Sequence, residues 1–139
     1  MNSSLELLYL IIFTGILAVC YSYLLSGQIL KASTGNERMR EIAEAIQIGA
    51  KAYLNRQYKT IAVVGVIVLI IVSYFFSLLV GLGYLIGATL SGAAGYIGML
   101  ISVEANVRTA EASRSSLQSG LSIAFKSGAI TGLLVAGLA

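Results

Sequence analysis

Charge along this chain is confined to blocks. Residues 7–30 and 60–103 carry none, while all nine Lys and Arg lie in 31–59 and 104–126. At ~1.5 Å rise per residue, a helix over 7–30 can cross a ~30 Å hydrocarbon core once, and 60–103 can cross it twice. The longer run has to turn back, and Gly81-Leu82-Gly83 is the expected place. The pattern therefore predicts membrane spans at about 7–30, 60–80 and 84–103, separated by the charged segments 31–59 and 104–126. Three crossings put both basic segments on one side, which the positive-inside rule identifies as cytoplasmic, with the N-terminus outside.

The charged segments have helical order of their own. Met39, Ile42, Ala43, Ile46, Ala50, Tyr53 and Leu54 recur at three- and four-residue spacing and line one face. Thr34 and Glu37 have the spacing of a capping box, and Arg40 and Glu44 that of an i,i+4 pair. Neither proline nor a cap signal falls between Lys51 and Ile61, so one long helix is expected, amphipathic first and apolar later. Glu104, Arg108 and Glu111 also keep helical spacing, which extends the third span to the Ser-rich turn 113–119.

Small residues mark the third span. Gly83, Gly87, Ser91 and Gly95 form one four-residue stripe, and Ala94, Gly98 and Ser102 an adjacent one. Lipid tails give little hydrophobic drive for helix association, so close approach through small residues is the packing device available. After it, residues 127–139 are uncharged and apolar, but 13 residues of helix reach only about 20 Å. This is the start of a fourth crossing, and the chain is expected to be the N-terminal part of a larger protein. A re-entrant or interfacial helix is the structural alternative.

Composition narrows the function classes. With 58% hydrophobic and 11% charged residues, a soluble domain would expose far too much apolar surface. The net charge of +3 resides beside apolar spans, where it suits lipid headgroups and not nucleic acid. Cys20 is the one cysteine and reads as a small apolar filler of the first span. Leu17-Ala18-Val19-Cys20 lacks the basic leader of a lipoprotein site, since Glu6 stands there instead.

There is no histidine, and all six acids are glutamates, so zinc and Asp-based magnesium–phosphate sites are not expected. No base is available to activate a serine, no phosphate-cradling loop is present, and no ionisable group sits mid-span. Catalytic, cofactor-binding and metal residues are accordingly expected to number none. Glu104, at the inner end of the third span, reads either as part of an ion path or as the partner of Arg108. Arg108 and Arg114 read either as attractors of an anionic substrate or as boundary anchors.

Two stretches carry a resemblance. The segment Gly35 to Lys59, with Met39-x-x-Ile42 leading to Gly49-Ala50-Lys51-Ala52-Tyr53-Leu54, is similar to the region before the second helix of the membrane-bound, ion-translocating inorganic pyrophosphatases. Gly95-x-x-Gly98-Met99, then Ala105-Asn106-Val107-Arg108-Thr109, then Ala124-Phe125-x-x-Gly128-Ala129, resemble that family's next motifs in order.

The resemblance implies an all-α membrane protein: the first helices of the outer ring of a sixteen-helix fold, in a prokaryotic cell membrane. It further implies a homodimer that hydrolyses cytoplasmic pyrophosphate with magnesium, potassium being possible, and drives protons or sodium ions outward. The family's catalytic and gate motifs belong to later helices, and no position here matches them. Glu104 departs from the basic or neutral residue that many relatives carry at that place. By this reading the chain itself is inert, and its partners are the bilayer and the remaining helices of the parent protein. Two other classes stay open: a small noncatalytic multi-span subunit, and a small oligomeric transporter, which would need a carboxylate at membrane depth.

Overall fold

The computed structural model of the chain describes residues 2–138, with side chains from Ser4 onward. Among the described residues it is helical throughout apart from short links: α1 (Asn2–Leu30), α2 (Glu37–Phe75), α3 (Leu78–Ser115) and α4 (Leu117–Leu138). All four are long and apolar enough to cross a membrane. The chain is thus an all-α membrane protein.

The expected long helix is present. α2 runs unbroken for 39 residues, about 58 Å, so its amphipathic first half projects beyond any bilayer that its apolar half spans. Its cap differs from the expectation. Asn36, not Thr34, closes the N-terminus, its Oδ1 accepting from the Met39 N–H at 2.9 Å. Gly35 precedes it at φ +75°, a left-handed conformation that turns the chain into the cap and that a side chain would strain. In the first turns Arg38 pairs with Glu41 at 2.6 Å, in place of the expected Arg40–Glu44 pair.

The reversal between α2 and α3 falls at Phe76-Ser77 and not at Gly81–Gly83, so α2 ends at Phe75 and α3 begins at Leu78. Serine chemistry explains the shift. Ser77 Oγ accepts from the Val80 N–H at 3.3 Å and caps α3, while the Phe76 N–H closes α2 on the Val72 carbonyl. Gly81 is needed inside the helix, because a Cβ there would strike the Ser73 side chain of α2. The same device recurs at the other end of α3. Ser116 Oγ accepts from the Ser119 N–H at 3.1 Å, and Gly120 passes against Ser113 where a Cβ would collide. The Ser-rich turn is therefore reduced to Ser116, and α4 starts at Leu117. Residues 127–138 of the uncharged run form the later part of this 22-residue helix. Ala139, the last residue of that run, lies outside the described residues.

Packing is uneven. Leu25 and Ile29 of α1, Ala94 and Ala105 of α3, and Ile130 and Leu134 of α4 form one buried cluster. Of the two small-residue stripes, Ala94 and Gly98 are buried, while Gly83, Gly87 and Ser91 are exposed. Gly98 lets α4 approach: a Cβ there would stand 2.9 Å from Thr131 Cγ2. α1 meets α4 by a still closer backbone approach, since a Cβ on Gly137 would lie 2.7 Å from the Gly15 carbonyl oxygen.

Candidate functional site

Polar side chains converge at one end of the bundle. Arg108, 8% exposed, extends back along α3, where Nη1 meets Glu104 Oε2 at 2.9 Å and the Glu104 carbonyl at 2.5 Å. Its Nη2 donates to the Leu30 carbonyl at 3.3 Å. Leu30 ends α1, so this carbonyl is among the last four that the helix leaves without an internal partner, and a cation there also complements the helix dipole. Nε of Arg108 is buried and has no hydrogen-bond partner.

Nearly two turns on, Arg114 Nη1 pairs with Glu111 Oε2 at 3.1 Å and lies over Met39 Sδ. Glu111 in turn crowds Gly35, since a Cβ on that glycine would lie 2.8 Å from Glu111 Oε2. Lys126 of α4 reaches Gln28 Oε1 of α1 at 3.2 Å. The end of α3 therefore grips the α1–α2 link, with α4 fastened beside it.

Glu104 and Arg108 are partners in this arrangement, with both terminal nitrogens of the guanidinium on protein acceptors. Arg114 is likewise paired, although its side chain stays exposed. Spacing alone pointed to the Glu104–Arg108 pair. It could not point to Leu30, which lies 78 positions away and contributes only a main-chain oxygen. Glu37, Glu41 and Glu44 stand exposed on the first turns of α2, and among the described residues no group of three or more acids, cysteines or histidines converges to hold a metal ion. Cys20 is exposed on α1.

A second feature is the seam between α2 and α3. The helices touch near their turn and again where Tyr58 stands edge-on to Tyr96, ring centroids 5.1 Å apart, with Tyr96 Oη donating to Asn55 Oδ1 at 3.2 Å. Between these points they splay around a cavity of about 410 Å³, floored by Ala62, Gly65, Ala88 and Gly92 and closed at its far end by Leu69 and Tyr84. On the other side of the tyrosine pair, Met39, Ile42, Ala43 and Ile46 face Val103, Val107 and Ala110 across a smaller gap of about 200 Å³. The amphipathic face expected of residues 36–59 is thus turned toward α3.

Taken together, these features describe a helical section of an integral membrane protein, with its polar groups used to lock helices together. The profile of the family described as inorganic H+ pyrophosphatase matches residues 16–139, and the chain belongs to that family. It is 50% identical over 127 residues to a K(+)-insensitive pyrophosphate-energized proton pump of Methanosarcina mazei, a match that covers 90% of this chain and 19% of the relative. It is 41% identical over 138 residues to a putative K(+)-stimulated pyrophosphate-energized sodium pump of Bacteroides thetaiotaomicron, covering 95% of this chain and 19% of that protein. A K(+)-insensitive pyrophosphate-energized proton pump 2 of Moorella thermoacetica is also 41% identical, over 135 residues. The chain spans about a fifth of the length of these relatives. The motif-bearing segments fall on α2 (residues 37–59), on α3 (95–99 and 105–109) and on α4 (124–129).

Proposed function

We propose that this chain is the N-terminal, outer-ring section of a membrane pyrophosphatase, a homodimeric pump that couples hydrolysis of cytoplasmic pyrophosphate to outward movement of protons or sodium ions. The family match over residues 16–139, in a chain one-fifth the length of its relatives, is the observation that carries this reading. The catalytic centre then belongs to the rest of the protein. The carboxylates present do not fit a magnesium–pyrophosphate site, because such a polyanion needs several metal-binding carboxylates at one place and no three of them converge among the described residues. Magnesium, and potassium where it activates, would be bound by later segments. The role of the present helices is mechanical: they hold the α1–α2 link, α3 and α4 in fixed register. Proton and sodium pumps both occur among relatives of comparable identity, so overall similarity does not choose the ion.

In this reading the N-terminus and the Phe76-Ser77 turn face outside, and the Arg108 junction faces the cytoplasm of a prokaryotic cell. Sidedness is tested with single cysteines at Asn36 and Ser77 in a Cys20→Ala background, probed on intact cells with an impermeant thiol reagent. Labelling is expected at Ser77; labelling at Asn36 instead reverses the topology. The functional reading is tested in two ways. The purified, reconstituted chain is expected to release no phosphate from pyrophosphate with magnesium, measured against a membrane blank with fluoride controls for soluble contaminants. The DNA following the codon for Ala139 is expected to continue in frame into carboxylate-rich motifs. Magnesium-dependent turnover that follows the purified chain would overturn the proposal, and a natural stop with no such region would favour a noncatalytic membrane subunit.

A further inference from the structure

We propose that the cavity between α2 and α3 holds one acyl chain of an anionic phospholipid, whose headgroup is received by Lys51 and Lys59. The inference rests on membrane embedding of these two helices and not on the pumping reading.

Three observations carry it. The first is the cavity itself, about 410 Å³, partly open and lined mostly by apolar atoms, in the size range of sites that bind small molecules. The helices splay here, and the small residues that face each other across the gap leave it unfilled, so in a bilayer the space is filled by whatever apolar chain lies beside it. The second is its position. Apart from Tyr58 its lining belongs to the charge-free run, and it ends at Tyr58 and Tyr96, where amphipathic rings suit headgroup depth.

The third is charge. Lys51 lies one heptad before Tyr58, and Lys59 one heptad before Val66; both of these later residues line the cavity, so the two lysines sit on its side of α2. Arg56 adds a third cation at the same depth. No acid occurs from residue 45 to residue 103, and the nearest one on α3, Glu104, is taken by Arg108. None of the three cations forms an ion pair among the described residues. An apolar slot that ends under uncompensated positive charge matches the two halves of an anionic lipid, and an uncharged partner would leave the cations unanswered.

Because the chain has no tryptophan, a single one reports locally. Tyr84→Trp places it in the cavity, and Ile86→Trp places it at similar depth on the exposed face of α3. In phosphatidylcholine bilayers, a small fraction of acyl-brominated phosphatidylglycerol is expected to quench the first reporter more than the second, while brominated phosphatidylcholine quenches both alike. Lys51→Gln with Lys59→Gln is expected to lower the preference for phosphatidylglycerol roughly tenfold at low salt.

Should either tryptophan variant fail to fold, native mass spectrometry of the unsubstituted chain from mixed lipid gives the second readout. One phosphatidylglycerol retained over phosphatidylcholine, and lost in the double lysine variant, supports the proposal. Equal quenching of both reporters, a preference that survives loss of both lysines, or a cavity reporter shielded from both lipids overturns it. The last outcome would assign the cavity to a second copy of the chain. No pyrophosphate enters these measurements, so their outcome stays separate from that of the pump reading.

Discussion

α3 runs beside both α2 and α4 and treats them differently. Against α4 it is in continuous contact, with Ala94, Gly98 and Ala105 meeting Ile130, Thr131 and Leu134, and with α1 completing the cluster. Against α2 it closes at the turn and at the tyrosine pair, and elsewhere it leaves cavities of about 410 and 200 Å³. Both seams are apolar, and both contain glycine and alanine. What separates them is what the small residues face. On the α4 side they face Thr131 and Ile130, which fill the space they leave. On the α2 side they face Ala62 and Gly65, and small opposite small at a splayed crossing leaves a void. Small residues in a membrane helix therefore permit close approach without ensuring it, since dispersion contacts are gained only where a partner occupies the gap.

The contrast is broken most directly at Gly98. Gly98→Leu should destabilise the four-helix unit by about 3 kcal/mol, because a side chain there meets Thr131 at once and overpacking of this kind costs ~1–3 kcal/mol. Gly87→Leu should leave this unit unchanged, since nothing lies within 4 Å of a Cβ at that position. Energy transfer between dyes on α1 and α4, followed through a titration with sodium dodecyl sulfate, reads both. Equal sensitivity of the two variants would mean that the tight seam is not where the stability lies.

Next in size is Arg108→Gln. Removing one member of a fully buried ion pair costs ~3–5 kcal/mol, but the Glu104 side chain is 32% exposed and regains water, which brings the expected loss to about 2 kcal/mol. Arg108→Lys should recover only part of it, since an ammonium lacks the planar fork that reaches Glu104 and the Leu30 carbonyl together. In a double-mutant cycle with Glu104→Gln, a coupling near zero would place the value of Arg108 wholly in its grip on α1.

The sequence disclosed the elements better than their junctions. Charge-free runs and missing prolines were enough for the long apolar helices and for the unbroken α2, because those depend on bulk properties of many residues. The α2–α3 turn was misplaced by several residues. Gly81 and Gly83 look like a break, but the hydroxyl of Ser77 can satisfy the helix start and the glycine is consumed in letting α3 pass Ser73. The two stripes on α3 looked equivalent, and only the partner helix distinguishes Gly98 from Gly87. The Glu104–Arg108 pair was readable from its spacing. The bond from Arg108 to Leu30 was not, since a main-chain acceptor has no residue signature.

On the open side, Gly95→Ala should cost about 1 kcal/mol. A Cβ there would stand 2.8 Å from Tyr58 Oη, the far end of a side chain that can swing aside, at the expense of a strained rotamer. The same dodecyl sulfate titration, with dyes on α2 and α3, would detect it. A loss as large as that of Gly98→Leu would show that the tyrosine pair, and not the α4 contact, anchors α3.

The smallest effect belongs to Tyr96→Phe, which removes the hydrogen bond to Asn55 and keeps the ring against Tyr58. Side-chain hydrogen bonds between membrane helices average ~0.6 kcal/mol, because each partner finds other acceptors once the helices separate. Asn55 is exposed at the basic end of the seam, where water and headgroups reach it, so the expected loss is about 0.5 kcal/mol. Asn55→Leu should match it, and the two substitutions together should cost no more than either alone if the bond is their shared contribution. Dye separation across α2 and α3 is the measurement, and the ring contact supplies the internal control, since Tyr96→Ala removes both the bond and the edge-on packing. If Tyr96→Phe alone lets the helices spread as far as Tyr96→Ala does, the hydrogen bond closes the seam. If it leaves their separation unchanged, the ring does, and the cavity keeps its width through packing at its two ends.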